Sequence, residues 1–236
     1  LIGVEDAIGF DTFFNRWLHL IMGGEEQVQI LHLGDSHIQA DFFTERVRYR
    51  IQSFFPGTEG ARGIVFPYNL AQTNNPTNYN ISSTSNWEVV NGLKIATGQT
   101  GIIPLKIQTF DSIIDIEIEQ KDGYTNTGFS EIELWYYASD SVLFRSTNQS
   151  NHSLLQGFGR FSISSGIMRK FDRLSFIKPN ADAVFEIFAV WLKNALPGIT
   201  YHALGLNGAR AKDFVGCDNF SRLVSGIRPE LVVISL

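Results

Sequence analysis

Cysteine is nearly absent from this chain. Cys217 is the one thiol in 236 residues. It excludes an internal disulfide, and no partners surround it at metal-ligand spacing. It reads as a small buried hydrophobe, with a catalytic thiol as the alternative. No apolar run approaches the roughly 20 residues that span a bilayer, and no signal peptide is visible. Lys and Arg do not cluster and the net charge is −5, which argues against a nucleic-acid partner. There is no internal repeat. The chain starts at Leu1 rather than Met and stops inside an apolar run, Leu231 to Leu236. The expectation is a fragment whose upstream segment is missing and whose last strand is buried.

Hydrophobic residues make up 44% and charged residues 18%, enough apolar material for a sizeable core. Phe10, Phe13, Phe14, Trp17, Leu18 and Ile21 fall on one helical face, and Gly23-Gly24 ends that helix. Val28 to Leu33 is apolar enough for a strand buried on both faces. A helix is expected from about His37 to Phe54, broken by Pro56-Gly57. Gln72 to Asn86 reads as a long polar loop. From Trp87 to Lys193 short alternating runs dominate, such as Ile114, Ile116 and Ile118 against Asp115, Glu117 and Glu119. They suggest a β-sandwich. After Pro197-Gly198 come a strand over 199–204, a glycine-bearing loop, a helix within 211–225 and a strand from Leu231. Two βα-type pieces thus flank a β-rich block.

Chemistry concentrates in Val28-Gln29-Ile30-Leu31-His32-Leu33-Gly34-Asp35-Ser36-His37. An apolar strand enters a Gly-Asp-Ser turn and a helical pattern leaves it. A serine there gains from free backbone N–H groups and the positive end of the helix. The same serine could simply cap the helix.

Three pieces resemble, in order, the early blocks of the SGNH (GDSL-type) ester hydrolases. They are the Gly34-Asp35-Ser36 unit, the Gly205-Leu206-Asn207-Gly208 loop and the segment from Arg228 to Leu236. His37, Gln39-Ala40-Asp41, Gly63-Ile64-Val65-Phe66-Pro67 and the β-rich block are similar to bacterial enzymes that remove O-acetyl groups from cell-envelope polysaccharide, peptidoglycan above all. Some of those carry a carbohydrate-binding-type jelly roll after the first βα unit. The resemblance implies an α/β fold: an SGNH-type parallel sheet flanked by helices, partly present, with an inserted antiparallel β-sandwich or jelly roll. It implies a division into 1–70, 71–196 and 197–236, the outer two forming the hydrolase part.

The resemblance also implies roles. Ser36 matches the nucleophile and Gly208 the oxyanion glycine, with Gly205 as a weaker match. Asp35 would support the turn. His37 would orient the site, since adjacent helical side chains diverge by about 100° and face each other poorly. The family's asparagine and its Asp-x-x-His have no counterpart before Leu236, so the isolated chain is expected to be nearly inactive. The partner implied is an O-acetylated glycan, with no cofactor, no metal, no nucleic acid and no membrane span. The location implied is the bacterial periplasm or exterior. An O-acetyltransferase and a non-catalytic carbohydrate-binding protein remain open as alternatives. Gly208 also reads as a turn glycine alone. His32 and His202 read as satisfied core groups, and Trp87, Trp135 and Trp191 as core or as a sugar platform.

Overall fold

The computed structural model describes residues 7–93, 100–123, 127–145 and 153–236; Leu1 lies outside them. The expected α/β class does not hold. Among the described residues, nine of twelve strands form one antiparallel sheet, and three form a parallel sheet. The dominant sheet takes its shape from a hairpin of two 17-residue strands, β7 (Phe129–Arg145) and β8 (Ser153–Arg169). Along its far edge β7 first pairs with β10 (Phe185–Lys193), then with β9 (Phe171–Ile177). The register of β7 against β8 shifts between Ala138 and Val142. A strand that changes neighbours at such an irregularity bends its sheet. The two arms therefore curl toward each other rather than forming separate sandwich layers. Phe176 of β9 and Phe185 of β10 meet across the interior at 5.3 Å between ring centroids.

One arm continues from β10 to β5 (Leu105–Thr109) and β4 (Glu88–Asn91). The other runs from β9 to β6 (Ile113–Gln120) and β3 (Tyr79–Ser83). Strand β3 lies inside the segment expected to be a polar loop. Its alternation buries Tyr79 and Ile81, which a composition rich in Asn, Ser and Thr conceals. Strand β2 (Gly63–Val65) joins β10. Trp135 and Trp191 are buried and Trp87 is half-buried.

The parallel sheet has β1 (Gln27–Gly34) at its centre, with β11 (Gly198–Gly205) and β12 (Leu231–Ser235) on either side. One face of β1 and β11, including Ile30 and Tyr201, packs with Phe13 and Ile38. The other, with Leu31, Leu33 and Leu204, joins the core of the antiparallel sheet. Burying each of these aliphatic side chains contributes about 1.5–3 kcal/mol. Helix α1 (Ala7–Ile21) buries Phe13 and Leu20 but leaves Phe10, Phe14 and Leu18 exposed. The expected burial of the last strand is likewise corrected. Val232 and Ile234 of β12 are exposed, because β12 is an edge strand with β1 as its one partner among the described residues. The helix expected within 211–225 is two helices, α4 (Ala211–Val215) and α5 (Phe220–Ile227), numbered after two that follow β1. No helix of the described residues is long and apolar enough to cross a membrane.

Those two are α2 (Ser36–Ala40) and α3 (Phe42–Gln52), where a single helix was expected. Asp41 breaks it with a left-handed backbone, φ 58°. The carboxylate is buried and meets Arg48 at 3.0 Å, Arg62 at 2.7 Å and the Asn78 amide at 2.7 Å. Thr44 also donates to it. Arg48 Nε donates to the Tyr201 carbonyl at 3.0 Å, so the cluster ties the helices to β11. Burial pushes the Asp41 carboxyl up, but the two guanidinium charges and their hydrogen bonds bring it down to about 2.

His202 is buried on β11. Its Nδ1 accepts from the Ile64 N–H at 3.0 Å, so Nε2 carries the proton and donates to Gln29 Oε1 at 2.9 Å. Burial, with the charges of Arg48, Arg62 and Lys193, lowers its pKa to about 3. The unfolded imidazole titrates near 6.5, so protonation favours the unfolded state. Stability is expected to fall as pH drops below about 6.5 and to go on falling toward about 3. Burial also lowers the pKa of His32, with the same sign. The Asp41 contribution is lost only below its unfolded value of 3.8. Urea midpoints at about pH 7 and pH 4.5 isolate the histidine effect, and His202→Gln should narrow the gap between them.

Candidate functional site

The Gly-Asp-Ser turn and the glycine loop meet at one edge of the parallel sheet. In the register, Gly34 lies opposite Gly205 on one side and Ser235 on the other. All three blocks leave their strands at the carboxyl end, where ligands bind in sheets of parallel strands. Gly34 has to be glycine, because a Cβ there would strike the Ser235 carbonyl and the Ile38 side chain. Gly205 is as constrained, by the backbone of Asp35 and Gln39. These close approaches let α2 start immediately beside β11.

Asp35 is the N-cap of α2. Its carboxylate accepts from the His37 N–H at 2.9 Å and lies 3.1 Å from His37 Nδ1. The backbone hydrogen bond, then the side-chain contact and charge of His37, hold the Asp35 carboxyl below its ordinary value. Because Asp35 does the capping, the Ser36 hydroxyl is not used for it. Ser36 is the first residue of α2 and half-buried, and among the described residues its side chain has no hydrogen-bond partner. Its N–H has no intrahelical acceptor. Helix α2 is only five residues long, so the long-helix dipole expected from the sequence does not act here.

Gly208 has φ +77° in a turn closed by the Ala209 N–H on the Leu206 carbonyl at 2.9 Å. A positive φ at the third position is what a type II turn requires. The Gly208 N–H takes no part in the loop hydrogen bonds. Gln39 fixes the loop to α2. Its Oε1 accepts from the Asn207 N–H at 2.7 Å, while its Nε2 donates to Thr73 Oγ1 and the Asn74 carbonyl. Tyr68 holds the other side by donating to the Gly205 carbonyl at 2.5 Å. Sequence reasoning gave Gln39 no structural task and passed over Tyr68, which lies in no motif.

Gly208→Ala meets no neighbour within 4 Å, so its cost is backbone strain, about 1–2 kcal/mol. Gly208→Asn is expected to cost less, because asparagine tolerates the left-handed region. Gly205→Ala is expected to cost more than either, since its Cβ meets backbone that cannot give. Denaturant midpoints check the order.

Among the described residues, no histidine is brought onto Ser36. His37 is 86% exposed at the side chain and turns to Asp35. His32 bonds Tyr201 and Ser235 at 2.5 and 2.8 Å. His202 is committed to Gln29 and Ile64, and His19 pairs with Glu26 at 3.2 Å. The remaining histidine, His152, lies outside the described residues. Cys217 is no alternative nucleophile. It is buried, its thiol donates to the Asp213 carbonyl, and burial pushes its pKa up to about 11.

No protein-family model matches this chain, and no curated protein matches it. Among solved structures, one described as a peptidoglycan O-acetylesterase in action superimposes with a TM-score of 0.71 at 20% identity. The match covers 94% of this chain and 59% of that one. This chain therefore spans less than two thirds of its neighbour's length. A family two carbohydrate esterase from Cellvibrio japonicus aligns over 51% of this chain and 35% of its own, at 10% identity and a TM-score of 0.29. A carbohydrate binding module of family 29 aligns over 51% and 82%, at 10% identity and 0.25. Scores of that size carry no argument. What the first likeness establishes is that this chain has the fold of the corresponding part of a peptidoglycan O-acetylesterase structure.

Proposed function

We propose that this chain carries the nucleophile and part of the oxyanion hole of a serine esterase that removes O-acetyl groups from a cell-envelope glycan. The observation that carries the reading is the convergence of Ser36 and Gly208 at the carboxyl ends of paired parallel strands, with Gln39 bonded across. The fold shared with a peptidoglycan O-acetylesterase supports it. In this reading the Ser36 oxygen attacks the acetyl carbonyl. The N–H groups of Ser36 and Gly208 bind the oxyanion, a donor of this kind typically contributing about 3–4 kcal/mol. The sugar oxygen leaves as the alcohol, and water then releases acetate from the acyl-enzyme. The base that takes the Ser36 proton comes from outside the described residues, and Asp35 and His37 fix the turn that aims the hydroxyl. The periplasm or cell exterior is where such a substrate would be met.

A serine-directed fluorophosphonate tests the assignment on the natural gene product that contains these residues. The expected result is loss of acetate release from O-acetylated glycan, with one adduct mapping to the Ser36 peptide. Inhibition with the adduct on another peptide would overturn it.

A further inference from the structure

The turn over 68–74 reaches the Ser36 edge from outside its motifs. It leaves β2 and leads into β3, two strands of the antiparallel sheet, yet it grips the glycine loop at two points. Tyr68 donates to the Gly205 carbonyl at 2.5 Å. Gln39, only 1% exposed, makes the second tie. One end of its amide accepts from the Asn207 N–H, and the other donates to Thr73 Oγ1 and the Asn74 carbonyl. The backbones of Asn74 and Asn207 are therefore separated by the width of a single side-chain amide. Inside the turn, the Thr73 N–H donates to the Tyr68 carbonyl and the Gln72 N–H to the Asn69 carbonyl, both at 3.1 Å. Gln72 takes φ 52°, a left-handed backbone uncommon outside glycine. The turn is held in one shape against the loop.

The backbones are committed, but the two asparagine side chains are not. Asn74 and Asn207 are exposed, and neither side chain has a hydrogen-bond partner among the described residues. Asn207 directly precedes Gly208. A Cβ added to Gly208 would meet nothing within 4 Å, so the space beside its N–H is open. The charges nearest in the chain are answered within the protein. Arg210 pairs with Asp213 and His37 with Asp35, each at 3.1 Å. What the asparagines add at this edge is two neutral amides, each with two donors and an acceptor. Hydroxyl and amide groups on a sugar ring match that set; a bare acetyl ester has nothing to offer it.

We propose that Asn74 and Asn207 bind the sugar ring that carries the acetyl ester, through its neutral hydroxyl and amide groups. The proposal rests on the esterase reading and deepens it. The substrate class becomes a neutral hydroxylated ester, and the antiparallel unit supplies one wall of the site through the 68–74 turn.

Steady-state hydrolysis by the natural gene product tests it on two esters. Mono-O-acetylated N-acetylglucosamine offers the ring, and p-nitrophenyl acetate offers no hydroxyl or amide. Asn74→Ala and Asn207→Ala remove no side-chain hydrogen bond of the described residues. Each is expected to lower kcat/KM for the sugar ester relative to p-nitrophenyl acetate by about two- to tenfold, the worth of one hydrogen bond. The loss should fall chiefly on KM, and the double variant should lose more. An unchanged ratio in the double variant, with Ser36→Ala inactive on both esters, would overturn the proposal and leave the esterase reading standing. An equal loss on both esters would overturn it too, since that marks a disturbed loop and not a lost sugar contact. A Ser36→Ala protein active on both esters would end the esterase reading, and this proposal with it.

Discussion

Ser36→Ala is expected to lower acetate release by the natural gene product by about 10⁴-fold or more, the usual cost of deleting an acyl-transfer nucleophile. The fold should not notice. The Ser36 side chain has no hydrogen-bond partner among the described residues, and the N-cap of α2 is Asp35. Thermal midpoints of the two proteins should therefore agree within a few degrees. Asp35→Ala separates site from scaffold in the opposite sense. It deletes the cap and the contact to His37, so both stability and rate should fall, the former by about 1 kcal/mol. Acetate release from O-acetylated glycan, followed beside circular dichroism, measures both. A Ser36→Ala protein that kept its activity would end the acyl-enzyme reading.

The second large effect concerns stability. Asp41→Ala is expected to cost about 3–5 kcal/mol, the range for removing one partner of a buried ion pair. That is a large share of the 5–15 kcal/mol typical of a folded domain. The substitution leaves Arg48 and Arg62 facing each other, buried, without the carboxylate between them. Arg62→Met should cost less. Nε and Nη1 of Arg62 lack partners among the described residues, so its removal also relieves an unmet demand. Arg62→Met combined with Asp41→Asn should be more stable than Asp41→Ala alone, because fewer charges are left buried. Urea denaturation of the variants at neutral pH gives the order directly.

The parts legible in the sequence are those whose signal is local. The apolar run of β1 and the 2-residue alternation of Ile114, Ile116 and Ile118 both lie where expected, with those isoleucines buried. The break at Asp41 was not legible, because Arg62 and Asn78, 21 and 37 residues away, stabilise it. Nor was double-sided burial in β7. Glu133 and Trp135 occupy the face that alternation assigns to solvent, and they satisfy each other through the indole N–H. The α/β class failed for a related reason. The two flanking pieces contain strand and helix patterns, but the bulk of the chain, and one face of the parallel sheet itself, belongs to the antiparallel core. At the site, the Gly-Asp-Ser turn stands out in sequence, whereas the tie from Gln39 to Asn207 spans 168 residues and leaves no local trace.

The register of β1 also bears on synthesis. Its partner Gly205 lies 171 residues after Gly34, and Ser235 lies 201 after it. At about 5–20 residues per second, a ribosome takes roughly 10–35 seconds to deliver the first of those partners. During that time Val28 to Leu33 is an apolar ribbon with no sheet to join, while the long β7–β8 hairpin can close on its own. The nascent chain is thus expected to depend on chaperone cover over its first βα unit, with the serine edge assembling last.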